Sequence, residues 1–299
     1  MKPSHPFLQT LLLAALLNTI GPAGQGQSNV YTLNVVGYVN VTLTANRYYL
    51  ICNPLDTTNN TLNTVIVSVP EGSRVWTWDV TLQRFLGPSE YDPAIPAWTI
   101  DYPVPIGKGF MFYAPANGTI TFVGSVLQGA LTNAVVGANK LSLLGSMVPQ
   151  AGGLSGALQY PASDGDTISQ YSTPAQQYPD TRSYYSGYGW YANEPTLAVA
   201  EGFFVRHPGP DTNWVRNFTV NLAAGTSPPT VVEPAPTIEG FSIRDAVVTL
   251  KVSKETERYN VQFSTDRVNW TNIAVNQTAA TWQGPLPPGP AGFFQVVQP

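Results

Sequence analysis

A step of 93 residues relates two long segments of this chain, and that repeat constrains the fold more than any other feature. Ala45-Asn46-Arg47 recurs as Ala138-Asn139-Lys140, Gly72 as Gly165, and Gly109-Phe110 with Pro115 as Gly202-Phe203 with Pro208. The same step takes Asn40 to Asn133, Leu50 to Leu143, Trp78 to Tyr171 and Trp98 to Tyr191. A register held this long marks two copies of a unit large enough to own a core. It is a tandem domain pair rather than a solenoid whose short repeats lean on their neighbours.

The copies are expected to be β-structured. Twenty-six glycines and 27 prolines are spread along 299 residues, a density that interrupts long helices. Stretches rich in Val, Ile, Thr and aromatics, at 30–43, 48–52, 74–78, 109–113 and 119–123, read as strands. One short helix is expected over 61–69, where Leu62, Val65, Ile66 and Val69 share a face. After the second copy, Pro228-Pro229 and Pro234-Ala235-Pro236 mark a stiff linker. Strand-like runs at 246–252, 259–264, 270–275 and 293–297 then suggest a small third sandwich. The fold class predicted is all-β: two tandem β-sandwich or barrel-like domains, each with at most a short helix, plus a small C-terminal immunoglobulin-like or fibronectin III-like sandwich. The boundaries predicted are a signal peptide at 1–27, copies at 28–128 and 129–222, a linker at 223–238 and the third module at 239–299.

Lys2, the apolar run Leu11 to Leu17 and the small residues Ala23, Gly24 and Gly26 form the pattern of an export leader. The expected location is therefore secreted or at the cell surface, with no stretch long enough to span a membrane as a helix. Charged residues make up 11% of the chain against roughly 25% in ordinary soluble domains, so the surface is neutral and polar. The net charge of −4 offers no basic patch to nucleic acid. Cys52 is the only cysteine, which excludes an intramolecular disulfide framework; it is expected to be a small buried hydrophobe.

Two resemblances follow from particular motifs. Tyr49-Leu50-Ile51-Cys52-Asn53-Pro54-Leu55, Gly107-Lys108-Gly109-Phe110 and Thr119-Ile120-Thr121-Phe122-Val123-Gly124 resemble a β-domain of bacterial secreted and surface proteins. The second copy departs from it, with Ser146-Met147 and Ala200-Glu201-Gly202-Phe203 at the matching places. Tyr259-Asn260-Val261-Gln262-Phe263-Ser264 and Gly292-Phe293-Phe294-Gln295-Val296-Val297 resemble fibronectin type III-like modules that serve as spacers or attachment domains. Neither resemblance implies an activity.

The chemical inventory is sparse. His207 is the only histidine outside the leader, and with Cys52 it cannot supply a zinc site or a His-based nucleophile triad; it is expected at the surface. Asp164-Gly165-Asp166 is expected to be a solvated turn rather than a calcium loop. No metal, cofactor or catalytic residue is predicted. A glycan hydrolase would need a carboxylate pair from Glu71, Glu90, Asp92, Asp101, Asp164, Asp166, Glu194 and Glu201. Aromatics shared by the copies, Trp78/Tyr171, Trp98/Tyr191, Phe85/Tyr178 and Phe110/Phe203, are expected to pack in cores. Those present in one copy only, Trp76, Tyr184, Tyr185, Tyr188 and Trp190, are the ligand-binding candidates, and the last four sit in a Tyr-Ser-Gly mixture typical of recognition loops. The leading expectation is an exported, non-catalytic structural or adhesion protein whose partner is itself, as an oligomer or fibre. A carbohydrate-binding protein with polysaccharide as partner is the alternative, and a glycan hydrolase the third reading.

Overall fold

A computed structural model describes residues 34–220, 236–253 and 258–299. The leader at 1–27, residues 30–33 of the first expected strand and most of the expected linker lie outside these ranges. The first copy contains β1 (Val36–Leu43), β2 (Arg47–Cys52), the helical turn α1 (Leu62–Val65), β3 (Arg74–Asp79), β4 (Arg84–Asp92), β5 (Ala97–Trp98), β6 (Gly109–Ala114) and β7 (Gly118–Ser125). The second contains β8 (Gly129–Val135), β9 (Leu141–Gly145), β10 (Gly152–Gly153), β11 (Thr167–Gln170), β12 (Thr181–Tyr185), β13 (Gly189–Trp190), β14 (Thr196–Leu197), β15 (Gly202–Arg206) and β16 (Thr212–Phe218). Six strands follow: β17 (Ile238–Arg244), β18 (Val247–Val252), β19 (Tyr259–Ser264), β20 (Thr271–Gln277), β21 (Thr281–Pro285) and β22 (Ala291–Val297). The fold is nearly all β, its sheets are antiparallel and open, and none closes into a barrel.

The repeat is a repeat of topology. The first copy builds the sheet β2-β6-β3-β4-β5, and the second builds β9-β15-β11-β12-β13 in the same order. Register is kept too: Tyr49 faces Phe112 as Ser142 faces Val205, and Arg74 faces Tyr113 as Thr167 faces Arg206. The separate antiparallel pair β1–β7, formed by the first and last strands of the copy, has its equivalent in β8–β16. The helix expected over 61–69 is shorter than its apolar face, a single turn whose Leu62 and Val65 are buried and whose Thr64 hydroxyl accepts the Thr61 N–H at 3.1 Å.

The copies pack face to face through the residues that the repeat shares. Leu50 and Leu143, Met111 and Phe204, and Trp78 and Tyr171 meet in one cluster, joined by Phe85. Hydrogen bonds across the contact come in reciprocal pairs. The Cys52 N–H donates to the Ala200 carbonyl at 2.9 Å, and Gly145, 93 residues on from Cys52, donates to the Gly107 carbonyl at 2.9 Å. The Gln83 side chain brackets the backbone of Leu141 (2.8 and 3.0 Å), and the Gln176 side chain brackets that of Tyr48 (2.9 and 3.2 Å). This is a pseudo-two-fold interface within one chain, in which each copy seals the edge strand of the other. On its axis only one side chain fits: a Cβ on Gly145 would lie 2.2 Å from the Cys52 sulfur. Cys52 is buried there, and burial pushes its thiol up to about 12, so it serves as packing.

The glycines matched by the repeat serve this contact. A Cβ on Gly109 would meet Leu143 at 2.8 Å, and one on Gly202 would meet the Ile51 backbone at 3.0 Å.

The last six strands do not stand apart. β22 pairs with β1, producing one sheet in the order β20-β19-β22-β1-β7, while β17-β18-β21 forms the facing sheet. β1 is therefore apolar on both faces: Val35, Val39 and Leu43 enter the core of the first copy, and Val36 and Tyr38 enter the core of the C-terminal sandwich. Arg267, after β19, lies over the rings of Phe218 and Phe293 at 5.4 and 5.1 Å and ties that sandwich to the end of β16.

Candidate functional site

Four of the five candidate aromatics fall on one hairpin, β12–β13, at the outer edge of the second sheet. Its loop is Ser186-Gly187-Tyr188, closed by a Tyr188 N–H to Tyr185 carbonyl bond of 3.0 Å. Gly187 and Gly189 have φ of +84° and +83°, the left-handed backbone that a three-residue hairpin loop needs. Asp164 fixes the loop from below, its Oδ1 accepting the Ser186 N–H at 2.7 Å. At the base Tyr184 meets Trp190 edge to face at 5.2 Å, and the Trp190 indole N–H donates to the Ser155 hydroxyl at 3.0 Å.

The base is thus packed and the tip is free. Tyr184 and Trp190 are half-buried, whereas Tyr185 is 48%, Tyr188 93% and Tyr191 72% exposed. Asp164, Tyr185, Ser186, Tyr188, Trp190 and Tyr191 border a cleft of about 490 Å³. This corrects two expectations. Trp190 takes the place of Trp98, whose ring meets Tyr91 at 5.5 Å just as Trp190 meets Tyr184. Tyr191, matched to Trp98 by the 93-residue step, is left outside. The cause is a loop one residue shorter: Tyr91 pairs with Trp98, while Tyr184 pairs with Trp190. Asp164 and Tyr191 are the site residues that sequence reasoning missed, and the length of that loop was the available signal.

Trp76 lies elsewhere, on the first sheet, where its ring is 5.8 Å from Tyr48 and Tyr48 is 4.9 Å from Tyr113. The three rings are tilted to one another by about 45° and do not make a flat platform. Leu141, Ser169 and Arg206 stand at the matching positions of the second copy, which lacks this cluster. Of the shared aromatics, Phe110, Phe203 and Trp98 are in cores, but Tyr178 is 41% exposed despite its 5.1 Å contact with Tyr171.

His207 and Asp166 also depart from expectation. Both are buried, at 5% and 0% exposure, and His207 Nδ1 shares a 2.6 Å hydrogen bond with Asp166 Oδ1. Asp166 Oδ2 accepts the Tyr160 hydroxyl at 3.0 Å and the Ser163 N–H at 2.9 Å. A buried carboxylate needs such partners, and His207, placed opposite on β15's exit, supplies one. A Cβ on Gly209 would sit 2.8 Å from His207 Nε2, so backbone closes the other side of the ring. The arrangement holds structure together. The other carboxylates cap turns or pair locally: Asp92 accepts the Ala94 N–H, Asp101 that of Asn63, Glu194 those of Ser155 and Gly156, and Glu90 binds Arg74 at 2.9 Å. Glu201 accepts the Ala198 N–H and the Gln170 amide, and burial raises its pKa above the ordinary carboxylate value.

Among the described residues no group of three or more His, Cys, Asp or Glu could hold a metal, and no helix is long and apolar enough to cross a membrane. Comparison with family models, with curated proteins and with solved structures finds no match for this chain.

Proposed function

We propose that this chain is an exported, non-catalytic adhesion protein that recognises polysaccharide through the β12–β13 hairpin. One observation carries the reading: a hairpin pinned at its base by Trp190 and Asp164 holds out Tyr185, Tyr188 and Tyr191. Exposed tyrosines on a fixed backbone offer apolar faces to sugar rings at little entropic cost, and the Asp164 carboxylate and Ser186 hydroxyl beside them suit sugar hydroxyls. The low charge of the whole chain fits a neutral ligand.

A second reading, self-assembly, is favoured by β20. It is an edge strand, Thr271 to Gln277 carries no charge, and Ile273 and Val275 are exposed. Two register shifts in its pairing with β19 twist that edge, the irregularity by which proteins discourage pairing between molecules. For that reason recognition ranks first.

The test is binding of residues 28–299 to a polysaccharide array, beside a Tyr185→Ala, Tyr188→Ala variant whose unfolding midpoint is unchanged. Retention of at least one polysaccharide, lost by tenfold or more in the variant, is the expected result. No retention, or retention indifferent to the two tyrosines, overturns the recognition reading. A mass in light scattering that grows with protein concentration would then favour assembly through β20.

A further inference from the structure

A second cleft, of about 470 Å³, opens between the two copies, and none of its lining residues belongs to the site above. Its volume and its position between two domains are those of small-molecule sites. The first copy contributes Trp78 at the end of β3, the segment Pro103-Val104-Pro105 and Lys108; the second contributes Leu143 on β9 and the entry of β16.

Trp78 is a fixed wall. Its indole N–H donates to the Leu141 carbonyl at 3.0 Å, and Phe85 and Phe204 pack against it edge to face at 5.1 and 4.9 Å. Lys108 is the only cation among the lining residues. Its ammonium donates to the Ala134 carbonyl at 3.1 Å, and among the described residues it forms no ion pair. Asp211, also in the lining, accepts the Gly137 N–H at 2.8 Å and makes no ion pair with Lys108. Partial burial lowers the Lys108 pKa, because desolvation penalises the charged form. The two-fold relation sharpens the contrast, because position 201, the equivalent of Lys108, is a glutamate. The cation is thus a property of one side of the interface.

We propose that this cleft binds a small carboxylic acid carried on a ring, with the carboxylate on Lys108 and the ring against Trp78 and the Pro103–Pro105 wall. The carboxylate gives the ammonium the partner it lacks, and the apolar wall takes the ring out of water. A sugar acid and an aromatic acid share this chemistry, and the polar edge formed by Thr212 and Asn213 suits the hydroxyls of the former.

The experiment titrates the mature chain, residues 28–299, with glucuronate and with phenylacetate, following the Trp78 indole N–H resonance, identified by its loss in Trp78→Phe. Glucose and phenylacetamide are the uncharged counterparts. At least one acid should move the resonance saturably, bind tenfold or more tightly than its neutral counterpart and weaken as salt is raised. Lys108→Met should lose that preference, and Tyr188→Ala should leave it intact, which separates this site from the hairpin. Saturation by glucuronate alone assigns a sugar acid, by phenylacetate alone an aromatic one. Neither acid moving the resonance, or acid and neutral probe binding the wild type equally, overturns the proposal without reliance on any variant.

Discussion

The two copies share strand order and register, yet they bury opposite faces of the same strand pair. In the first, Val39, Leu43, Ile120 and Phe122 of β1–β7 enter the copy's own core. In the second, Val135 of β8 and Trp214 of β16 do so, and these stand at the positions of Thr42 and Thr121. Side chains alternate along a strand, so the second pair presents the face that the first turns away from its sheet. The difference teaches that strand pairing and face selection are separate decisions. Main-chain register fixes the first, and the placement of large apolar side chains fixes the second. In the first copy both faces have work, because the C-terminal sandwich covers Val36 and Tyr38; in the second the face bearing Val215 meets solvent.

The sharpest way to break this comparison is to give the β8–β16 pair the residue of the β1–β7 pair. Trp214→Thr removes a fully buried indole that contacts Tyr160 and Phe203 and donates to the Leu158 carbonyl at 2.9 Å. The expected loss is about 3–5 kcal/mol in chemical denaturation. Val215→Thr, one residue along on the exposed face, should cost about 0.5 kcal/mol or less. Equal costs for the two would mean that Trp214 does not select the face.

The buried Asp166–His207 pair is the next difference, since Ser73 and Ala114 occupy its positions in the first copy. His207→Ala leaves the Asp166 carboxylate without its closest partner, and should cost about 3 kcal/mol. Installing the first copy's solution whole, with Asp166→Ser and His207→Ala together, removes the charge as well and should cost less than His207→Ala alone. A double variant less stable than the single would show that the second core cannot take the uncharged solution of the first.

Much of this was legible in the sequence. The strand expected at 30–43, described from residue 34, the strands at 259–264 and 109–113, and the repeat itself are local patterns or constant spacings, and they survive into the fold. What was not legible depends on partners brought together by folding. His207 reads as a surface residue until Asp166, 41 positions away, is placed beside it. Trp190 and Tyr191 exchange roles because one loop is a residue shorter, which shifts β13 by one and, in a strand, reverses the face, before the 93-residue step is regained at Gly202. The pairing of β1 with β22 joins the chain's first and last described strands, and no short-range signal announces it.

The smallest effect tests the symmetry rather than the difference. Gln83 and Gln176 are the same residue one repeat apart, and both lie in the left-handed region, with φ of +53° and +57°. In the structure each amide stands in for a missing strand, bonding both the N–H and the carbonyl of Leu141 or Tyr48 on the other copy's edge. Truncation to alanine should cost about 1 kcal/mol at either site. The two losses should not be equal. After Gln83→Ala the Leu141 carbonyl keeps the Trp78 indole N–H at 3.0 Å, whereas Tyr171, which stands in place of Trp78 in the second copy, makes no hydrogen bond to the Tyr48 carbonyl, which the Gln176 amide serves. Gln176→Ala should therefore be the costlier, and amide hydrogen exchange should quicken at Tyr48 in that variant and at Leu141 in Gln83→Ala. Unchanged exchange at both amides would mean that the edges are protected by the packing of the two sheets alone, and the paired glutamines would lose their role in joining the copies.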